Sequence, residues 1–309
     1  MTKNPARPGP LGPFRVLDLT QVLSGPHCTQ MLADFGADVV KIERPGVGDD
    51  LRNTLAYEGR EEHQDYFYAN NRSKRSIALD LKSPKDLEIA RALAAEADIV
   101  AENFAPGTAD RLKMGYEDLK AINPKLLYCS ISGFGQTGPA RDRLALDPVI
   151  QAVSGVMSVT GADGAPPMQI GAPLADVMAG MYAAYAIVGA LHGVRTSGGG
   201  CYLDVSMQDA VMAALGPRMG ETLQAGRLPS RQGNGNPLRV PAESYRTADG
   251  RYLAVICMSD RFWPPICRAV GRPDLAEDPR YEKMADRVAA RETIDGILAD
   301  IFATKTIEE

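Results

Sequence analysis

Asp176 is the acid in this sequence best placed to act on a substrate. It closes the segment Gly171-Ala-Pro-Leu-Ala-Asp176 and leads into a long run of small apolar residues. An Asp at such a helix start commonly serves as the N-cap. The same position suits a nucleophile, because the positive end of a helix dipole keeps a carboxylate ionised in apolar surroundings. Position alone favours the cap. A second group consists of Arg44, Lys82, the pair Asn103-Phe104, and Gly133, each of which follows an apolar segment with strand character. Two cations, an amide, an aromatic ring and a glycine suit a ligand carrying phosphates and an adenine ring, with charge for the one and a flat face for the other. Strand ends are also polar simply because water reaches them.

Other groupings invite chemistry and are better read as structural. Cys28 beside His27 suggests a thiol nucleophile and its base, but neighbours on a helix do not face each other. A small buried thiol is the better reading. Gly133-Phe-Gly135-Gln-Thr-Gly138 has the GxGxxG spacing and follows a strand, yet Pro139, Arg141 and Asp142 come next where a helix should open. Ser158 stands near where the acid of a dinucleotide site belongs, so the run is a glycine turn. His27, His63 and His192 are too dispersed for a local metal site, and none is expected.

These residues need strands and helices to bring them together. Phe14–Leu19, 37–42, Ser76–Leu81, 98–102, 125–132 and Cys201–Ser206 read as strands. Helical patterns intervene at His27–Phe35, with Gly36 as C-cap, at 84–96, and from about Val177 onward. Strand, helix and strand in so few residues imply right-handed parallel crossovers and a doubly wound α/β domain. In such sheets ligands sit beyond the carboxyl ends of the strands. Ala145–Ala175 reads as ordered loop with a short helix, and another helix starts at Met207. Beyond about Gly220 the pattern changes to a loop at Gln232–Pro237, a hairpin over Ala242–Met258 turning at Asp249-Gly250, and helices at Arg261–Val270 and from Asp286. The expected division is a large domain over 1–205, a linker over 206–234 and a small α+β domain over 235–309.

The composition fits a soluble globular protein of about two domains: 309 residues, 45% hydrophobic, 24% charged and 6% aromatic. A net charge of −5 speaks against nucleic acid as the main partner. Five scattered cysteines without a CxxC pair imply reduced thiols and a cytoplasmic location. The N-terminal stretch carries Lys3 and Arg7 but no apolar segment of signal-peptide length. Val177–Val194 lacks a formal charge over eighteen residues, the lower bound for a membrane span. Eight of the eighteen are Ala or Gly and His192 lies inside, so a buried helix in a core or dimer is expected instead.

Several segments together resemble the class III coenzyme A transferases, the family of formyl-CoA and carnitine CoA-transferases. They are VLDLTQVLSGP at Val16–Pro26, GADVVKIERPGVGD at Gly36–Asp49, NRSKRSIALDLK at Asn71–Lys82, ENFAPG at Glu102–Gly107 and ISGFGQTGP at Ile131–Pro139. The most diagnostic piece runs from VTG at Val159–Gly161 to GAPLADVMAGM at Gly171–Met181. The resemblance implies a Rossmann-like large domain, a small domain and interlocked dimers. It assigns the nucleophile to Asp176 and coenzyme A contacts to Ser24, Arg44, Leu79, Lys82, Asn103, Phe104 and Arg111. It also implies a glycine loop whose amides hold oxyanions, for which Gly233 and Gly235 are the candidates.

The implied activity moves coenzyme A from an acyl-CoA to a small carboxylic acid through aspartyl anhydride and aspartyl-CoA thioester intermediates, with no permanently bound cofactor. The richer glycine run of formyl-CoA transferases is absent, which argues against oxalate or formate as the specific substrate. A related branch, the α-methylacyl-CoA racemases, uses a histidine in a Gly-His-Asp sequence; here Ala145-Leu146-Asp147 puts leucine in its place. Transfer is therefore favoured over racemisation or a non-catalytic CoA-binding role. Family members run on past a point equivalent to Glu309 and return to the large domain, so this return is expected to be missing here.

Overall fold

The computed structural model describes residues 9–53 and 65–309; Lys3, Arg7 and His63 fall outside them. Six strands form one parallel sheet: β1 (Arg15–Asp18), β2 (Asp38–Glu43), β3 (Arg75–Ala78), β4 (Ile99–Glu102), β5 (Leu127–Ser132) and β6 (Cys201–Ser206), in the order β3-β2-β1-β4-β5-β6. The register sets Val16 between Val39 and Ile99. The central strands are buried along nearly their whole length because both faces are covered, as parallel sheets require. One face carries Val16, Val39, Ile99, Leu127 and Cys129; the other carries Leu17, Val100 and Tyr128.

The crossovers supply the cover. They are α1 (Ser24–Asp34), α2 (Asp65–Asn71), α3 (Pro84–Ala95), α4 (Thr108–Arg111), α5 (Tyr116–Lys120), α6 (Asp147–Val153), α7 (Val156–Val159) and α8 (Leu174–Ser197), while α9 (Met207–Leu215) and α10 (Pro217–Ala225) follow β6. Cys28 and Leu32 of α1 pack with Ala179, Ala183 and Ile187 of α8 on the first face, and Ala90 and Ala94 of α3 with Leu119 of α5 on the second. Helix α1 starts at Ser24, not His27 as its sequence suggested, because Pro26 needs no amide partner within a first helical turn. Strand β3 is shorter than expected, ending at Ala78 with one further ladder bond from the Leu79 amide to the Glu43 carbonyl, 2.9 Å.

Helix α8 is buried on one face only. Ala175, Ala179, Ala183, Ile187 and Leu191 enter the core, whereas Met181, Tyr182, Tyr185 and Val188 are exposed. Leu174–Val194 is long and apolar enough to cross a membrane by length and composition alone. Its inner face is nevertheless part of the sheet's core.

The chain divides into two compact units. The first comprises the described residues up to Met157 with Gln169–Arg227, and the second comprises Ser158–Met168 with Leu228–Glu309. Two expected boundaries therefore move. Residues 206–227, read as the start of a linker, hold α9 and α10 within the first unit, and Ser158–Met168 joins the second unit through long-range pairing. That pairing includes the Gly233 amide on the Gly161 carbonyl, 2.9 Å. In the second unit β7 (Ala242–Arg246) and β8 (Tyr252–Ile256) form the expected antiparallel hairpin. Helices α11 (Trp263–Ala269), α12 (Pro273–Glu277), α13 (Met284–Ala289) and α14 (Arg291–Phe302) complete it. Trp263, Ile294 and Leu298 form its core with Tyr245.

Candidate active site

The connection changes direction between β1 and β4, and the crevice beyond their carboxyl ends is where an open parallel sheet receives a ligand. Asn103, one residue past β4, ties the two loops together. Its carboxamide accepts the Gln21 N–H at 2.8 Å and donates to the Gln21 carbonyl at 2.7 Å and to Ser24 Oγ at 3.3 Å. A buried ion pair braces the same loop from below. Lys41 Nζ lies 3.0 Å from Asp49 and donates to the Thr20 carbonyl at 2.5 Å, while the Asp49 carboxylate accepts the Val22 N–H at 3.2 Å. Val22 holds φ 66°, a strained value for a β-branched residue that survives only where its surroundings fix it.

Asp18, fully buried beneath the loop, would be raised by burial. Lys74, Lys41 and the hydroxyls of Thr20 and Thr29 overcome that effect and hold it at about 2. The Asp18 charge beneath the loop into α1 therefore persists through neutral pH.

Asp176 lies in the first turn of α8 but does not cap it. The cap position is Pro173, and the free amides of Ala175 and Asp176 are taken by the Asp147 carboxylate at 2.7 and 3.3 Å. Asp147 is fixed in turn by Gln151, whose Nε2 donates to it at 2.6 Å. The Asp176 side chain is thus released from helix capping, and the hydroxyl and backbone N–H of Ser24, at the start of α1, favour its ionised form. Gly180 makes this approach possible: a Cβ there would meet the Ser24 carbonyl oxygen at 2.6 Å and the His27 ring at 3.0 Å. Burial pushes Asp176 up to about 6, the Asp147 charge adds to the rise, and the hydroxyl and N–H of Ser24 oppose it. A carboxylate at about 6 is still about 90% ionised at pH 7 and is more basic than a solvated one, which favours it as a nucleophile.

Two neighbouring cavities meet at Phe104. The larger, about 380 Å³, is lined by Ser24, Asn103, Phe104, Gly133, Asp147 and Asp176, with Arg141 to Leu146 along one wall. The smaller, about 130 Å³, is lined by Arg44, Leu79, Lys82, Phe104 and Leu112. Eight of the candidate residues, Ser24, Arg44, Leu79, Lys82, Asn103, Phe104, Gly133 and Asp176, therefore gather around these two spaces. Arg44 is ion-paired with Asp50 across the surface.

Arg111 lines neither cavity; its guanidinium donates to Thr108 Oγ1 at 2.7 Å. Gly233 and Gly235 belong to the second unit, and their amides are engaged within it, on Gly161 O at 2.9 Å and Gln232 O at 2.8 Å. Neither N–H is a free oxyanion donor in this arrangement.

The structural readings of the other groupings agree with what is observed. Cys28 is fully buried, and burial with the nearby Asp18 charge pushes its thiol up to about 12, leaving no nucleophile. The Gly133–Gly138 run opens no helix; the Gln136 N–H turns back to the Asp204 carboxylate at 2.9 Å. Leu146 stands 64% exposed on the wall of the Asp176 cavity and offers no base there. Sequence reasoning gave Asp147 no role in holding α8. An Asp-Pro pair opening a helix, with Gln four residues on, was the available signal, but its partner lies 28 residues away.

Comparison with known proteins accords with this geometry. The family model of CoA-transferase family III matches residues 11–309. The succinyl-CoA:mesaconate CoA-transferase of Haloarcula hispanica is 41% identical over 96% of this chain and 76% of that protein. The succinate–glutarate CoA-transferase of Agrobacterium fabrum is 40% identical over 100% of this chain and 77% of that protein. A CAIB/BAIF family protein from Brucella suis has the same fold, with a TM-score of 0.85 and 37% identity over 98% of this chain and 80% of that one. A parallel six-stranded sheet with a carboxylate and cations at its carboxyl edge, matched along nearly its whole length, defines the class: the chain belongs to CoA-transferase family III, and its activity is CoA transfer.

Proposed function

We propose that this enzyme moves coenzyme A from an acyl-CoA to a small carboxylic acid, with Asp176 as the covalent nucleophile. The observation that carries the reading is the Asp176 carboxylate in the wall of a cavity that shares Phe104 with a second, cation-lined one. The smaller cavity, with Arg44 and Lys82, suits the phosphates of coenzyme A, and the larger suits the acyl group. Phe104 stands between them, with Ser24 and Asn103 on the side of the larger.

In the first step an Asp176 carboxylate oxygen attacks the thioester carbonyl carbon, the C–S bond breaks, and coenzyme A leaves as thiolate. The mixed anhydride keeps the acyl group activated, as a serine ester would not. The thiolate then attacks the aspartyl carbonyl and expels the donor acid, giving an aspartyl-CoA thioester. The acceptor carboxylate attacks that thioester, forming a second anhydride and releasing thiolate. Attack of the thiolate on the acceptor's carbonyl forms the new acyl-CoA and frees Asp176. Arg141 and Arg143 on the wall of the larger cavity favour an anionic acceptor. The relatives named above act on dicarboxylic acids, which fits a second carboxylate reaching that wall. Racemisation finds no base at Leu146.

Asp176→Ala is expected to abolish transfer from succinyl-CoA to a panel of acids while coenzyme A still binds. Undiminished transfer would refute the assignment. The reading also includes a cytoplasmic, interlocked homodimer, for which light scattering is the direct test.

A further inference from the structure

Glu102 is a carboxylate in an unexpected place. It ends β4, is only 3% exposed, and among the described residues forms no ion pair with Lys or Arg. Its Oε2 accepts the Phe104 N–H at 2.7 Å, and its other oxygen accepts the Ser130 hydroxyl. Ser130 Oγ in turn accepts from Tyr202 at 3.1 Å. The charged and titratable groups around it are Asp110 on α4, Tyr116 and Glu117 on α5, Tyr128 and Cys129 on β5, and Tyr202 and Asp204 on β6. None is a cation.

Burying an uncompensated carboxylate costs several kcal/mol in principle, and a neutral acceptor would satisfy one amide more cheaply. What a carboxylate adds is a short charge-assisted bond that pins a peptide. The pinned peptide here carries Phe104, the side chain common to both cavities. Asn103, between them, clamps Gln21. The turn 102–104 is thereby fixed at both ends.

We propose that Glu102 is a positioning residue for acyl-CoA: by pinning the Phe104 amide it holds the ring between the two cavities, so that the thioester is delivered to Asp176. The proposal rests on the function proposed above and adds a determinant of donor binding to it. The role is indirect, since Glu102 touches Phe104 and not the cavity contents argued for.

The test compares Glu102→Ala and Glu102→Gln with the wild type in steady-state transfer from succinyl-CoA. Loss of the acceptor in Glu102→Ala is expected to raise KM for acyl-CoA about tenfold, with kcat and the acceptor KM within about twofold, since a charge-assisted bond contributes on this scale. An unchanged acyl-CoA KM, or a parallel loss in all three constants, overturns the proposal. Should Glu102→Ala fail to fold, Glu102→Gln decides through its pH profile. Burial, reinforced by Asp110 and Asp204 and opposed by the Ser130 and Phe104 bonds, raises Glu102 to about 7. The wild-type acyl-CoA KM is therefore expected to rise as pH falls through 7, and that of Glu102→Gln to stay flat. A wild-type-like slope in Glu102→Gln contradicts the proposal. Trapping an acyl adduct on Asp176 in the wild type separates the two ideas: without it the reaction itself is misassigned, and with it only the role of Glu102 is at stake.

Discussion

Replacing Ser24 by alanine is expected to move the acid limb of the activity profile without changing its plateau. The hydroxyl and the amide of Ser24 both favour the ionised form of Asp176, and only the hydroxyl is lost in Ser24→Ala. A hydrogen bond to a charged group is worth about 1.5–3 kcal/mol, and each 1.36 kcal/mol is one pKa unit, so a half-buried site partly reached by water should rise by about one to two units. Asp176 would move from about 6 to roughly 7–8. The sign follows from the ionised form being the nucleophile: at pH 7 the active fraction falls from about 90% to between about 50% and 10%, and above pH 9 it recovers. The assay is kcat/KM for succinyl-CoA across pH 5–9.5, which reports the free enzyme's ionisations. A loss of equal size at every pH, or an unmoved midpoint, would refute the idea that Ser24 sets the charge of Asp176.

Two further outcomes follow from the same geometry. Arg143 lines the Asp176 cavity, and its side chain has no hydrogen-bond or ion-pair partner among the described residues. Arg143→Ala should therefore raise KM for a dicarboxylic acceptor about three- to tenfold and leave KM for acetate unchanged; equal effects on both acids would argue against this contact. Gly180→Ala gains up to about 1 kcal/mol of helix propensity but drives a methyl against the Ser24 carbonyl and His27, an overpacking cost of about 1–3 kcal/mol. A fall in Tm of about 2–4 °C together with reduced activity is expected, and a higher Tm with full activity would contradict the close approach of α8 to α1.

The sheet was legible in the sequence because its strands are covered on both faces and so read as short apolar runs, each followed by the polar residues of a loop. The same logic located Arg44, Lys82, Asn103 and Phe104, since the carboxyl ends of parallel strands face one side. Long-range contacts were not legible. The exchange by which Asp147 takes over the amides of α8 and frees Asp176 for Ser24 joins residues with no local pattern in common. The return of Ser158–Met168 to the second unit and the burial of Glu102 are likewise set by chain crossings. Local rules misplaced the start of α1 for a simpler reason: Gly25-Pro26 reads as a break unless the proline falls in the first turn.

The most direct test of the covalent route is to incubate the enzyme with succinyl-CoA, quench with hydroxylamine, and map the product by peptide mass spectrometry. A hydroxamate on Asp176 and on no other carboxylate, absent without acyl-CoA, is predicted. Turnover with an unmodified Asp176, or a hydroxamate on a different residue, would contradict it.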